Sequence, residues 1–134
     1  MIFLKDFKEA FTFYQAGLRL LTGDISLSET ELINQLRSNS CLASLKLGDF
    51  DQCIVEATKV LENDANNSKL LHRRAVAYIN QADYDKAQTD LEEAIKLDPQ
   101  NVELKKELDG LGAKQKKMKD KQAAVYKKMV FGDN

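Results

Sequence analysis

The chain has 134 residues, enough for one compact domain and too short for two of ordinary size. Apolar residues make up 43% and charged residues 31%, which supports a core and excludes disorder of the whole chain. A net charge of -1 gives no field that would draw the whole molecule to nucleic acid or to an acidic membrane.

One proline and six glycines leave little punctuation, so an all-α fold of long helices is expected rather than many short strands. Cys41 and Cys53 are the only cysteines. They are too few for a disulfide scaffold and are not spaced like a zinc or redox pair, which points to a reduced, intracellular setting. No apolar run reaches the roughly 18 residues that span a bilayer, and Met1-Ile2-Phe3-Leu4 is too short for a signal-peptide core. A cytoplasmic protein is expected, with the nucleus as a secondary location.

The sequence repeats itself. Leu47-Gly48-Asp49-Phe50-Asp51-Gln52-Cys53-Ile54 aligns with Gln81-Ala82-Asp83-Tyr84-Asp85-Lys86-Ala87-Gln88, an aromatic residue followed three positions later by a small one. Phe50 to Tyr84 and Cys53 to Ala87 are both 34 residues, the period of the tetratricopeptide repeat. Phe7 begins a third copy of the pattern 43 residues before Phe50, so the first connection carries nine extra residues.

In chain order, the first predicted helix runs from about Asp6 to Leu21 and ends at Thr22-Gly23-Asp24. Ser28 with Glu31 three residues later is a capping-box pattern that opens a second helix to about Leu47. Helices are then predicted from Asp49 to Asn63, from Ser68 to Gln81 and from Asp83 to Leu97, where Pro99 stops the chain. A last helix starts near Asn101, and its Leu104, Leu108 and Leu111 recur at helical spacing, suited to capping the apolar face of the final repeat. Beyond them the stripe thins to Met118, Val125 and Met129, so this end is expected to reach past the body.

The whole chain, 1–134, thus reads as one solenoid domain: a truncated first repeat and connection (1–27), a second repeat (28–66), a third (67–100), and a capping and basic helix (101–131). Counting back from Phe7, residue 1 falls at the eleventh position of the first repeat. Only a stub of that helix A is then expected, leaving Phe7, Ala10, Phe11 and Tyr14 to present an open apolar surface that a partner, a second copy or preceding residues would cover. Each repeat pairs an A helix with a B helix, and small residues let their axes approach. Cys41 on A and Cys53 on B occupy such positions and are read as packed neighbouring thiols.

In this architecture the A helices line the concave wall, so inward positions on successive A helices form one continuous site. Lys69 and Arg73 lie one turn apart on the third A helix. Asn39 and Arg73 hold the same sixth position of successive A helices and are expected to face one groove. An ammonium, a guanidinium and a neutral amide suit a carboxylate, and a peptide C-terminus is the natural ligand. Arg74 is read as structural. His72, the only histidine, has no nucleophile placed beside it, so it is read as a lone exposed side chain and no catalysis is expected.

Asn39 within Arg37-Ser38-Asn39-Ser40-Cys41-Leu42, then Leu45-Lys46-Leu47-Gly48, then Lys69-Leu70-Leu71-His72-Arg73-Arg74-Ala75 resemble the carboxylate-clamp tetratricopeptide domains of chaperone cofactors. That resemblance implies recognition of the C-terminal Glu-Glu-Val-Asp of heat-shock protein 90 or 70, with Asn39, Lys69 and Arg73 at matching clamp positions. A Lys and an Asn that complete the clamp in that family fall before Met1.

From Gly112 onward seven lysines stand against Asp120 and Asp133, a local charge of +5, so the residues before it carry -6. The run from Lys116 to Met129 is similar to the end of the large immunophilins of the cyclophilin-40 and FK506-binding types, which implies a prolyl isomerase domain upstream in such a parent. Lys116, Lys117, Lys119, Lys121, Lys127 and Lys128 alternate with apolar residues in the basic amphipathic pattern that calmodulin or an anionic membrane surface recognises. Interleaved arginines and stacking aromatics are missing, so nucleic acid is not an expected partner. No metal or cofactor is expected.

Overall fold

The structure is a computed structural model that describes residues 7–21 and 27–132. The stub before Phe7, the Thr22-Gly23-Asp24 turn and the side chains of Phe7, Phe11 and Ser28 lie outside the described residues. Among the rest, every element is a helix: α1 (Phe7–Leu21), α2 (Leu27–Leu47), α3 (Phe50–Asn63), α4 (Ser68–Asn80), α5 (Tyr84–Leu97) and α6 (Val102–Phe131). The capping-box start needs correction, because α2 already begins at Leu27 and Ser28 lies inside its first turn.

At α3, α4 and α6 the helix starts follow local chemistry. Asp49 accepts a hydrogen bond from the Gln52 amide, Asn67 from the Leu70 amide, and Asn101 from the Glu103 and Leu104 amides, each satisfying donors that the first turn leaves unpaired. Each helix packs on the next in sequence, and α2 also touches α4, which places the A helices of successive repeats side by side.

Small residues mark the crossings. Cys41 on α2 meets Cys53 and Ala57 on α3, and Ala77 on α4 packs against the same cluster with Leu70 and Val60 filling the space between. Ala75, Ala87 and Ala94 repeat the device between α4 and α5, where Leu71 and Leu91 complete the core and Leu104 and Leu111 of α6 close it. Each fully buried Leu contributes roughly 1.5–3 kcal/mol relative to exposure. From Lys119 to Gly132 every residue is exposed, so α6 runs on beyond the body it caps. Among the described residues no helix is long and apolar enough to cross a membrane.

On α1 the expected open apolar surface needs correction: Ala10 is buried and Tyr14 half-buried, while Phe13 is 53% exposed, and Gly17 lies where an added Cβ would sit 3.2 Å from Leu36 of α2. Gln15 of α1 donates to the buried Ser40 hydroxyl at 2.8 Å.

Both hairpin turns share one geometry. After α2, the Gly48 amide bonds to Leu45 O and the Asp49 amide to Ser44 O; after α4, the Ala82 amide bonds to Ile79 O and the Asp83 amide to Tyr78 O. The pivot residue is left-handed in each case, Gly48 at φ 80° and Ala82 at φ 59°. Glycine adopts this region freely and alanine does not. Ala82→Gly is therefore expected to raise stability by about 0.5–1 kcal/mol and Gly48→Ala to lower it by about 1 kcal/mol, read as opposite shifts of the urea midpoint.

A buried acid sits at the same repeat position of the B helices α3 and α5. Glu56 on α3 pairs with Arg37 of α2 at 3.3 Å, and Asp90 on α5 accepts two hydrogen bonds from Arg74 of α4, both at 2.7 Å. Arg74 also donates to Thr58 of α3, so one guanidinium ties three helices, in keeping with its structural reading. Arg74→Ala strands the Asp90 carboxylate and is expected to lower unfolding free energy by about 3 kcal/mol in chemical denaturation.

Candidate peptide-binding site

Lys69 and Arg73 line one cleft of about 420 Å³ on the face where α2, α4 and α6 meet. The one-turn spacing on α4 puts both on the same side of that helix. The wall that α2 supplies consists of Leu42, Leu45 and Lys46, so the cleft holds a third cation that the repeat comparison did not single out. Val76 continues the apolar floor from α4.

The two cations differ in how they are held. Lys69 is exposed. Arg73 is half-buried, and its guanidinium donates to the Ser38 carbonyl at 2.6 Å and to the Ser38 hydroxyl at 2.9 Å. Burial lowers its pKa from the ordinary arginine value, while the Cys41 and Cys53 thiols act in the opposite direction. Asn39 is exposed on α2, next in sequence to the Ser38 that anchors Arg73. The structure thus brings Lys69 and Arg73 into one cleft, whereas Asn39, on the neighbouring helix, is not among the residues that line it.

Behind this wall the Cys41 and Cys53 sulfurs are 2.7 Å apart, buried and free, and the Cys53 thiol also reaches the Arg73 carbonyl at 3.8 Å. They are the packed neighbours the repeat positions predict. The contact with Cys53, reinforced by burial, holds the Cys41 thiol well above the ordinary range and keeps it protonated.

His72 corrects its reading as a lone exposed side chain. It is half-buried in the same cleft, and its Nε2 lies 2.8 Å from Glu107 Oε2 on α6. The hydrogen bond to Glu107 raises the His72 pKa against the opposing effect of burial. Glu103, one turn before Glu107, also lines the cleft, so a cationic α2–α4 side faces an acidic α6 side. The spacing of Glu103 and Glu107 is legible in the sequence, but nothing local indicates that this face of α6 turns toward His72.

The lysines of α6 are solvated: Lys116, Lys117, Lys119, Lys121, Lys127 and Lys128 are all exposed. Among them Met118, Val125 and Tyr126 line a shallow apolar depression with Lys121 and Gln122. Met129 is 78% exposed, and the face continues through Val130 and Phe131.

The chain is similar to several known proteins. Residues 68–101 match the family model of the tetratricopeptide repeat. Over 91 residues, 68% of its length, the chain is 33% identical to the peptidyl-prolyl cis-trans isomerase FKBP4 of Bos taurus, and it spans 20% of that relative. Its fold is similar to that of the myosin chaperone UNC-45 from C. elegans, with a TM-score of 0.78 and 29% identity over 92% of this chain and 14% of that one. It is also similar to the first TPR domain of Spaghetti (RPAP3) bound to the HSP90 peptide SRMEEVD, with a TM-score of 0.68 and 20% identity over 80% of this chain and 78% of that one.

The anchoring of Arg73 separates the two cations experimentally. Arg73→Ala removes both bonds to Ser38 and is expected to cost about 1–2 kcal/mol of stability, whereas Lys69→Ala should change it by less than about 0.5 kcal/mol. Thermal denaturation of the two variants reads the difference.

Proposed function

We propose that this chain, a tetratricopeptide-repeat domain similar to the one in large immunophilins, is a co-chaperone module that docks the acidic C-terminal peptide of heat-shock protein 90 or 70. The observation that carries the reading is the convergence of Lys69 and Arg73 in one cleft, with Lys46 beside them. The likeness in fold to a TPR domain bound to the peptide SRMEEVD supports it.

In this reading Lys69 supplies a mobile ammonium and Arg73 a guanidinium pre-oriented by Ser38, while Asn39 adds a neutral donor at the terminal carboxylate. Charge-assisted hydrogen bonds contribute roughly 1.5–3 kcal/mol each, so a few of them support micromolar binding, about -8 kcal/mol. Leu42, Leu45 and Val76 offer apolar contact to the side chain before the terminal Asp. The domain acts by binding alone, in the cytoplasm or nucleus, and any isomerase chemistry belongs to another part of a longer parent.

The peptide Met-Glu-Glu-Val-Asp is expected to bind, with Lys69→Ala and Arg73→Ala each weakening it about threefold or more in fluorescence anisotropy. Added salt should weaken binding as well. The decisive comparison is the same peptide amidated at its C-terminus: equal binding of the amide and the free acid would defeat the clamp reading.

A second reading is favoured by the exposed Val125, Tyr126 and Met129 set among Lys121, Lys127 and Lys128. Here the domain is a scaffold whose basic helix engages a calmodulin-type partner, or whose first-repeat face, with Phe13 exposed, meets another copy. Binding that persists in Arg73→Ala would mark this function rather than the clamp.

A further inference from the structure

Three donor groups from two helices converge on the acidic side of the cleft. His72 of α4 meets α6 where Glu103 and Glu107, one helical turn apart, share a face. One ligand atom from each of the three residues lies within 4.8 Å of the other two. A tetrahedral metal bound at about 2.0–2.2 Å holds its nitrogen and oxygen donors about 3.3–3.6 Å apart, so side-chain rotations that move the ligand atoms by about an ångström close the set. The Glu103 carboxylate is exposed and has no hydrogen bond or ion pair among the described residues, so it is available to a ligand.

We propose that His72, Glu103 and Glu107 form a binding site for a divalent transition-metal ion of the zinc class, tying α4 to α6. One imidazole and two carboxylates suit Zn²⁺, whereas Mg²⁺ and Ca²⁺ favour sets made of oxygen alone and soft Cu(I) favours sulfur. The two carboxylates neutralise the ion, and three protein donors leave a coordination position open to the cleft. Lys46, Lys69 and Arg73, the three cations of the cleft, oppose a cation there. Lys69 is exposed and screened by solvent, Arg73 is directed at the Ser38 carbonyl, and Lys46 lies on the opposite, α2 wall, so their repulsion reduces the affinity without abolishing it.

The probe is Zn²⁺ alone, added to the whole chain and followed by calorimetry and by NMR of the imidazole ring. His72 is the only histidine, so a single ring reports the site. One ion per chain is expected, with displacement of the His72 ring signals and a rise in melting temperature. His72→Ala, Glu103→Gln and Glu107→Gln should each weaken binding by about tenfold or more. The double variant Cys41→Ala/Cys53→Ala should bind as the parent does; loss of binding there would place the ion at the thiols and overturn the assignment. Ring signals that stay in place, or an equal response to Mg²⁺, would overturn it too. Should His72→Ala fail to fold, the ring signals of the unaltered chain decide the matter alone.

Discussion

The structure depends on how closely two helix axes can approach. Cys41 against Cys53, and Ala75 against Ala87, occupy the crossings of the two described hairpins, where a larger side chain would force the helices apart. Once the axes are close, space for large apolar groups remains only above and below each crossing, where Val60, Leu70 and Leu91 sit. The 34-residue spacing of the small residues is therefore a statement about geometry before it is a statement about kinship.

The same stacking determines which charges are structural and which are available. At this one position an acid on a B helix is buried against the A helix of its own hairpin, and Glu56 and Asp90 survive there because an arginine from that A helix reaches each of them. Cations on the concave side of the A helices meet no such buried acid. Lys69 stays exposed, and Arg73 takes a backbone carbonyl, which orients its guanidinium without neutralising it. A domain built this way separates its internal ion pairs from a cleft that keeps positive charge.

α6 has two parts with different physical roles. Its first half buries Leu104 and Leu111 and closes the last hairpin, and the same stretch turns Glu103 and Glu107 toward the cleft. The second half touches little of the body and presents lysines with Val125, Tyr126 and Met129 to solvent. Capping and binding surface are thus drawn from a single helix whose rotation is set by its buried leucines.

Much of this was legible in the chain as written. The spacing of Phe50, Tyr84, Cys53 and Ala87 located the hairpins, and Pro99 bounded α5 within a residue or two, because steric exclusions are local. The pairing of the two thiols and the structural role of Arg74 followed from repeat position. The start of α2 did not, since Ser28 with Glu31 imitates a cap from inside the first turn. Nor could the sequence pair His72 with Glu107, 35 residues away on a helix outside the repeat. Sequence by itself determined the helices, their order and the small-residue crossings, all of which rest on short-range periodicity. Only the tertiary structure decided that Arg73 is anchored on Ser38 and that α6 brings acids to the cleft, because those contacts depend on the rotation of one packed helix about another.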